Sequence, residues 1–194
     1  MRVLVPERKV LADNFEGKPF LSLADIVNDK KGGVYFTEIR TASVYYISPS
    51  GQLTRLANDV QGANGIMLSP DEKTLYVTNT PAGILAFDVQ ADGSIQSRRP
   101  FVKPESGQDG LAIDAVGRLY VASDLGIQVF SPDGQHLGLI PTPRQTTTLA
   151  FAGPDKKTLY VIGRGNDGPE GKKADARSMY KIMMLAEGFK GRAT

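Results

Sequence analysis

Two short phrases in this 194-residue chain bring together side chains that could hold a charge, Asn64-Gly65 and Asp109-Gly110. Each leads straight into a three-residue apolar run, Ile66-Met67-Leu68 and Leu111-Ala112-Ile113. Aligning those runs with Ile26-Val27-Asn28 and Leu149-Ala150-Phe151 puts Asp109 in line with Asn64, Ala24 and Thr147, and Gly110 in line with Gly65, Asp25 and Thr148. Carboxylate, amide and hydroxyl oxygens are the hard donors that Ca²⁺ and Mg²⁺ prefer, and the set lacks the imidazoles and thiolates that favour zinc. The spacing therefore allows a hard-cation site built on Asn64 and Asp109. A competing reading treats Asn-Gly and Asp-Gly as turn dipeptides that accept left-handed backbone. Against it, a turn has no need to recur at one register ahead of an apolar strand.

Other chemistry is thinly represented. Cysteine is absent, which excludes disulfides, thiolate metal sites and a Cys nucleophile. The single histidine, His136, falls in the turn-like stretch Asp133-Gly134-Gln135-His136, where a solvated role is expected and a Ser-His-Asp triad is not. Asp29, Asp71, Asp114 and Asp155 sit beside Gly or Lys and are expected to be solvent-facing turn residues. With 23 Lys and Arg against 21 Asp and Glu, the net charge of +2 is too small to drive nonspecific nucleic-acid binding. No apolar run is long enough to span a bilayer and no secretory signal is expected at the start, so a cytoplasmic location is favoured over a membrane one. The stretch Asn166 to Arg177 mixes both signs and is expected to be a solvated loop.

The elements that must position these residues follow from a repeat. The phrase Asp29-Lys30-Lys31-Gly32-Gly33-Val34-Tyr35 returns around Asp71 to Tyr76, Asp114 to Tyr120 and Asp155 to Tyr160, so that Tyr35, Tyr76, Tyr120 and Tyr160 recur every 40 to 44 residues. A period near 40–45 residues is that of a propeller blade. Within each unit an apolar run, a turn, the Tyr strand and a further alternating run such as Ile127-Gln128-Val129-Phe130 succeed one another. Fourth strands such as Leu53–Leu56 and Leu137–Ile140 complete a four-stranded antiparallel blade. The expected fold is all-β, a single domain over 1–194 with blades at about 21–60, 61–104, 105–144 and 145–187, about four in number. Lys9 to Phe15 is expected to be the outer strand of an earlier blade. Most propellers have more than four blades, so an incomplete ring is preferred, and its open edges would allow self-association. The repeated tyrosines are expected in the core. The first strand of each blade lines the channel, where residues of different blades converge.

The phrases Val10-Leu11-Ala12-Asp13-Asn14-Phe15-Glu16-Gly17, Ala63-Asn64-Gly65-Ile66, Asp109-Gly110-Leu111-Ala112-Ile113-Asp114 and Thr147-Thr148-Leu149-Ala150-Phe151 resemble the SMP-30/gluconolactonase/luciferin-regenerating-enzyme-like family of six-bladed propellers, in its C-terminal two-thirds. The resemblance implies lactone or ester hydrolysis with one divalent cation, Ca²⁺ ahead of Mg²⁺, Mn²⁺ or Zn²⁺. It implies Asn64 and Asp109 as metal ligands, Asp109 also as the general base, and Asp25, Thr147 and Thr148 as substrate-binding residues. A small-molecule lactone or ester is the implied partner. The family's N-terminal Glu ligand has no counterpart here, and Ala24-Asp25 and Thr147-Thr148 stand where the family usually has Asn-Asp and often Thr-Asn. A noncatalytic propeller scaffold is the alternative function.

Overall fold

The computed structural model describes residues 9–164 and 177–191; the expected solvated loop before Arg177 and the first eight residues lie outside the described residues. The described elements are all strands. A two-residue hairpin, β1 (Asn14–Phe15) with β2 (Lys18–Pro19), is followed by four sheets. The first contains β3 (Leu23–Asn28), β4 (Val34–Glu38), β5 (Ser43–Ile47) and β6 (Leu53–Ala57), and the second β7 (Ile66–Leu68), β8 (Thr74–Asn79), β9 (Gly83–Val89) and β10 (Ile95–Val102). The third contains β11 (Leu111–Ile113), β12 (Leu119–Ser123), β13 (Gly126–Phe130) and β14 (His136–Pro141), and the fourth β15 (Thr146–Ala152), β16 (Thr158–Arg164) and β17 (Arg177–Met183). Every sheet is an antiparallel meander in chain order. Four such blades around a central channel make a β-propeller, with inner strands β3, β7, β11 and β15 side by side. Among the described residues no helix is long and apolar enough to cross a membrane.

Strand alternation dictates how the blades stack, because successive side chains point to opposite faces. On β12, Leu119 and Val121 face the second blade while Tyr120 and Ala122 face the fourth. Each junction is thereby a dry layer of two faces, one trailing and one leading, and the core is a row of three such layers closed by aromatic packing on the first blade. Turn chemistry follows the sequence at Pro132-Asp133-Gly134, where Gly134 takes φ +89° and donates to the Ser131 carbonyl.

Three expectations change. Lys9 to Phe15 is not an outer strand: the β1–β2 hairpin sets Phe15 and Phe20 edge-on against Tyr45 and Phe36 of the first blade, because a pair of aromatic rings finds apolar cover there. The four turn aspartates do hold turns, each accepting backbone N–H groups two to four residues on. Only Asp71 and Asp155 face solvent, however; Asp29 and Asp114 are buried, satisfied by Tyr46 Oη in one case and by Arg118 Nε and Tyr120 Oη in the other. The Asp114 carboxylate and burial together push the Tyr120 phenol up to about 12, burial having the larger effect. Finally, three repeated tyrosines are in the core, but Tyr160 is not.

Candidate functional site

The residues ahead of the inner strands converge at one end of the channel. Asn64 Nδ2 donates to Asp109 Oδ1 at 2.6 Å, a contact between the second and third blades across 45 positions of sequence. Both backbones are pinned. Asn64 N donates to Thr78 Oγ1 (3.0 Å), and Thr37 Oγ1 donates to the Asn64 carbonyl (2.6 Å). Asp109 N donates to the Ala122 carbonyl and Gly110 N to that of Thr147, which ties the third blade to the fourth. Asp25 joins the same rim from the first blade. Its N–H donates to Thr37 Oγ1, and its carboxylate accepts from Ile26 N and, across the blade junction, from Ile66 N at 3.2 Å.

The glycines of both dipeptides have a reason other than turn conformation. Neither Gly65 nor Gly110 has positive φ. A Cβ on Gly65 would press into the Asp109 carbonyl oxygen, and one on Gly110 would stand 2.9 Å from Thr148 Cα. Glycine is required because the next inner strand lies directly against it, which is what allows the neighbouring side chains to meet.

Burial raises the pKa of both carboxyl groups at the rim. For Asp109, desolvation outweighs the positive field of Arg164 and the Asn64 hydrogen bond, and the charge of Asp25 adds to the rise. Two half-buried carboxyls that repel one another, with a neutral amide between blades, form a site that a cation would relieve. Among the described residues no three His, Cys, Asp or Glu side chains are grouped as a metal cluster, so the oxygen donors drawn together are Asp109 and the amide of Asn64, with Asp25 nearby.

Of the sequence candidates, Asp25, Asn64 and Asp109 share the rim. Thr147 contributes its carbonyl to the Gly110 link, while its hydroxyl donates to the Ile162 carbonyl of its own blade. Thr148 is exposed: its hydroxyl lies beside Gly110, next to Asp109 in sequence, and the residue also lines a cavity with Ala150, Tyr160, Ile162 and Met179, without a hydrogen bond to the Asn64–Asp109 pair. Sequence reasoning missed Thr37, Thr78 and Arg164. The threonines carried a signal: both stand two places after a repeated tyrosine, and a fully buried hydroxyl in a strand needs a specific partner. Arg164 carried none beyond its charge.

Residues 4–163 match the sequence profile of the SMP-30/gluconolactonase/LRE-like region. The chain belongs to that family. It is 33% identical over 188 residues to a gluconolactonase of Zymomonas mobilis, covering 82% of this chain and 53% of the relative. It is 34% identical over 167 residues to a lactonase, drp35, of Staphylococcus saprophyticus, covering 74% of this chain and 52% of that one. In three dimensions it is similar to a gluconolactonase of Xanthomonas campestris, with TM-score 0.73, 34% identity and coverage of 79% of this chain and 58% of that one. The chain thus spans about half the length of the curated relatives it matches.

Proposed function

We propose that this member of the family is a divalent-cation-dependent hydrolase of lactone or ester bonds, acting on a small-molecule lactone. The observation that carries the reading is the 2.6 Å contact of Asn64 with Asp109, made across two blades at a desolvated rim, in a family whose relatives are named gluconolactonase and lactonase. The donors present suit a hard cation, Ca²⁺ first, with Mg²⁺, Mn²⁺ and Zn²⁺ as alternatives. Asp109 would hold it through a carboxylate oxygen and Asn64 through its amide oxygen. Such an ion takes roughly six to eight oxygen ligands, so two side chains leave positions for water and substrate. When bound it would polarise the ester carbonyl and acidify a water.

The chain's own residues supply the rest. Asp109 accepts a proton as general base, a role suited by the upward shift that burial gives it. Asp25, held by two backbone N–H groups, has lone pairs left to orient a substrate hydroxyl or the attacking water. Arg164 places positive charge at the same mouth, fit to attract an oxygen-rich substrate. Thr148 offers an exposed hydroxyl and Thr147 a backbone anchor on the neighbouring inner strand.

The deciding experiment follows proton release from gluconolactone above its spontaneous rate, with Ca²⁺ and then with chelator. Turnover that needs the cation and falls on the order of 10²-fold or more in Asp109→Asn is the expected result. The second reading, a noncatalytic scaffold, is favoured by one observation: Ala24 puts an exposed methyl at the rim in register with Asn64 and Asp109. No turnover with any of the four cations would establish it in place of the first.

A further inference from the structure

Two places after each repeated tyrosine the strand carries a side chain on the same face as the tyrosine, since strand side chains alternate. In the third blade that residue is Ala122, fully buried in the apolar layer against the fourth blade. A methyl is enough there, because the Ala122 carbonyl takes the Asp109 N–H. The first and second blades have Thr37 and Thr78 at this register, both 0% exposed. A buried hydroxyl costs free energy unless it is paired, so a blade that packs with a methyl has no structural need of one. The two hydroxyls instead accept the N–H groups of the two rim residues Asp25 and Asn64.

Thr37 does more than Thr78. A hydroxyl has one proton and two lone pairs. The Thr37 proton goes to the Asn64 carbonyl at 2.6 Å, the nearer of two acceptors, the Asp25 carbonyl being 3.4 Å away. A lone pair accepts Asp25 N at 3.2 Å. One hydroxyl thus spans the junction of the first two blades and touches the backbone of both rim residues. Asp25 makes a second link across that junction, its carboxylate accepting from Ile66 N. The two links bracket Gly65, which on its other side lies against the Asp109 carbonyl. The segment Asn64-Gly65-Ile66 is therefore held by the first blade and stopped by the third, and the approach of the Asn64 amide to Asp109 is set between them.

We propose that Thr37 is a positioning residue of the rim: its hydroxyl fixes the Asn64 amide against Asp109 and ties Asp25 to the same frame, so that cation affinity depends on a side chain that touches no cation. The inference rests on the hydrolase reading for its cation and adds to it the residue that orients the ligands. Removing a group that orients a metal ligand typically costs about 10–100-fold in metal affinity.

The test is titration calorimetry of the full chain with Ca²⁺, or with whichever of Mg²⁺, Mn²⁺ and Zn²⁺ binds if Ca²⁺ does not, beside a melting curve for each protein. The proteins are wild type, Thr37→Val, which keeps the branched shape and deletes the hydroxyl, Thr37→Ser, which keeps the hydroxyl, and Ser43→Ala. Ser43 is the control for a purely structural role, a fully buried hydroxyl of the same blade that donates to the Thr41 carbonyl at 2.8 Å. Thr37→Val is expected to bind the cation about 10–100-fold more weakly than wild type and Thr37→Ser to recover most of that loss. Ser43→Ala is expected to melt lower with its affinity unchanged. Wild-type affinity in Thr37→Val, or a Thr37→Ser as weak as Thr37→Val, overturns the proposal and leaves the hydrolase reading standing. An equal loss of affinity in Ser43→Ala also overturns it, because the effect would then follow stability and not position. A wild type that binds none of the four cations overturns both readings. If melting shows Thr37→Val unfolded, amide exchange at Asp25 of the wild type decides in its place: exchange slowed by saturating cation supports the proposal, and unchanged exchange overturns it.

Discussion

Asp109 is placed where its charge is costly and useful at once. Burial and the Asp25 charge raise its pKa in the folded chain, so without a cation the ionised form opposes folding. A raised carboxyl contributes stability below the unfolded value near 3.9 and loses it as pH climbs through the folded one. Melting curves in chelator should therefore show Asp109→Asn more stable than wild type at neutral pH, with the gap closing on acidification. With Ca²⁺ in excess the order should reverse, because only the wild type gains the mass-action increment. A wild type that melts higher than the variant in chelator at neutral pH would contradict this account. Gly65 is the second residue on which the site depends. Gly65→Ala forces a methyl into the backbone of the neighbouring inner strand and should cost about 1–3 kcal/mol in denaturant unfolding, with loss of activity beyond the stability change.

At the scale of elements, each blade is closed by an aspartate turn between its inner strand and its tyrosine strand, and the four turns differ in burial. Asp114 is fully buried and accepts from two backbone N–H groups, Arg118 Nε and Tyr120 Oη. Asp71 is exposed and holds its turn through Ser69 Oγ and Lys73 N. Asp114→Ala should cost about 2–3 kcal/mol, since it strands a buried phenol and two turn donors. Asp71→Ala should cost less than about 1 kcal/mol, since water replaces what is lost. Equilibrium unfolding of the two variants in parallel measures the difference, and equal costs would mean that the turns are held by backbone geometry alone.

For the whole molecule, the closing segment after β17 staples blades that are distant in sequence. Gly188 bridges to Asp114 of the third blade, and Phe189 N donates to the Ile113 carbonyl. The Phe189 ring helps line a channel cavity of about 270 Å³ beneath the inner strands, and Lys30 of the first blade lies over it at 5.2 Å. Gly188 cannot carry a side chain there, because a Cβ would run into Phe151. Phe189→Ala should lower stability by about 2 kcal/mol, less than a fully buried Phe would lose, and should make the far end of the channel more accessible to solvent. Hydrogen exchange at Ile113 and Lys30 would report the second effect; unchanged protection there would show that the staple does not hold the floor.

The sequence by itself determined the architecture, because a blade is a local object. Its period, its alternation and its turns are written within about forty residues, and Tyr35, Tyr76, Tyr120 and Tyr160 mark it without knowledge of any neighbour. It also brought Asn64 and Asp109 into register, with Asp25 one place beyond, since a repeat aligns its own equivalent positions. Tertiary structure alone decided what lies between blades. That Gly65 and Gly110 serve close approach and not left-handed turns, that Thr37 hangs both Asp25 and Asn64 on one hydroxyl, and that Arg164 acts on Asp109 are facts of separation across junctions. The same holds for Tyr160. Its residue type and register match those of its three buried counterparts, and it is exposed because among the described residues no other blade packs against its face: burial belongs to the pair of surfaces and not to the residue.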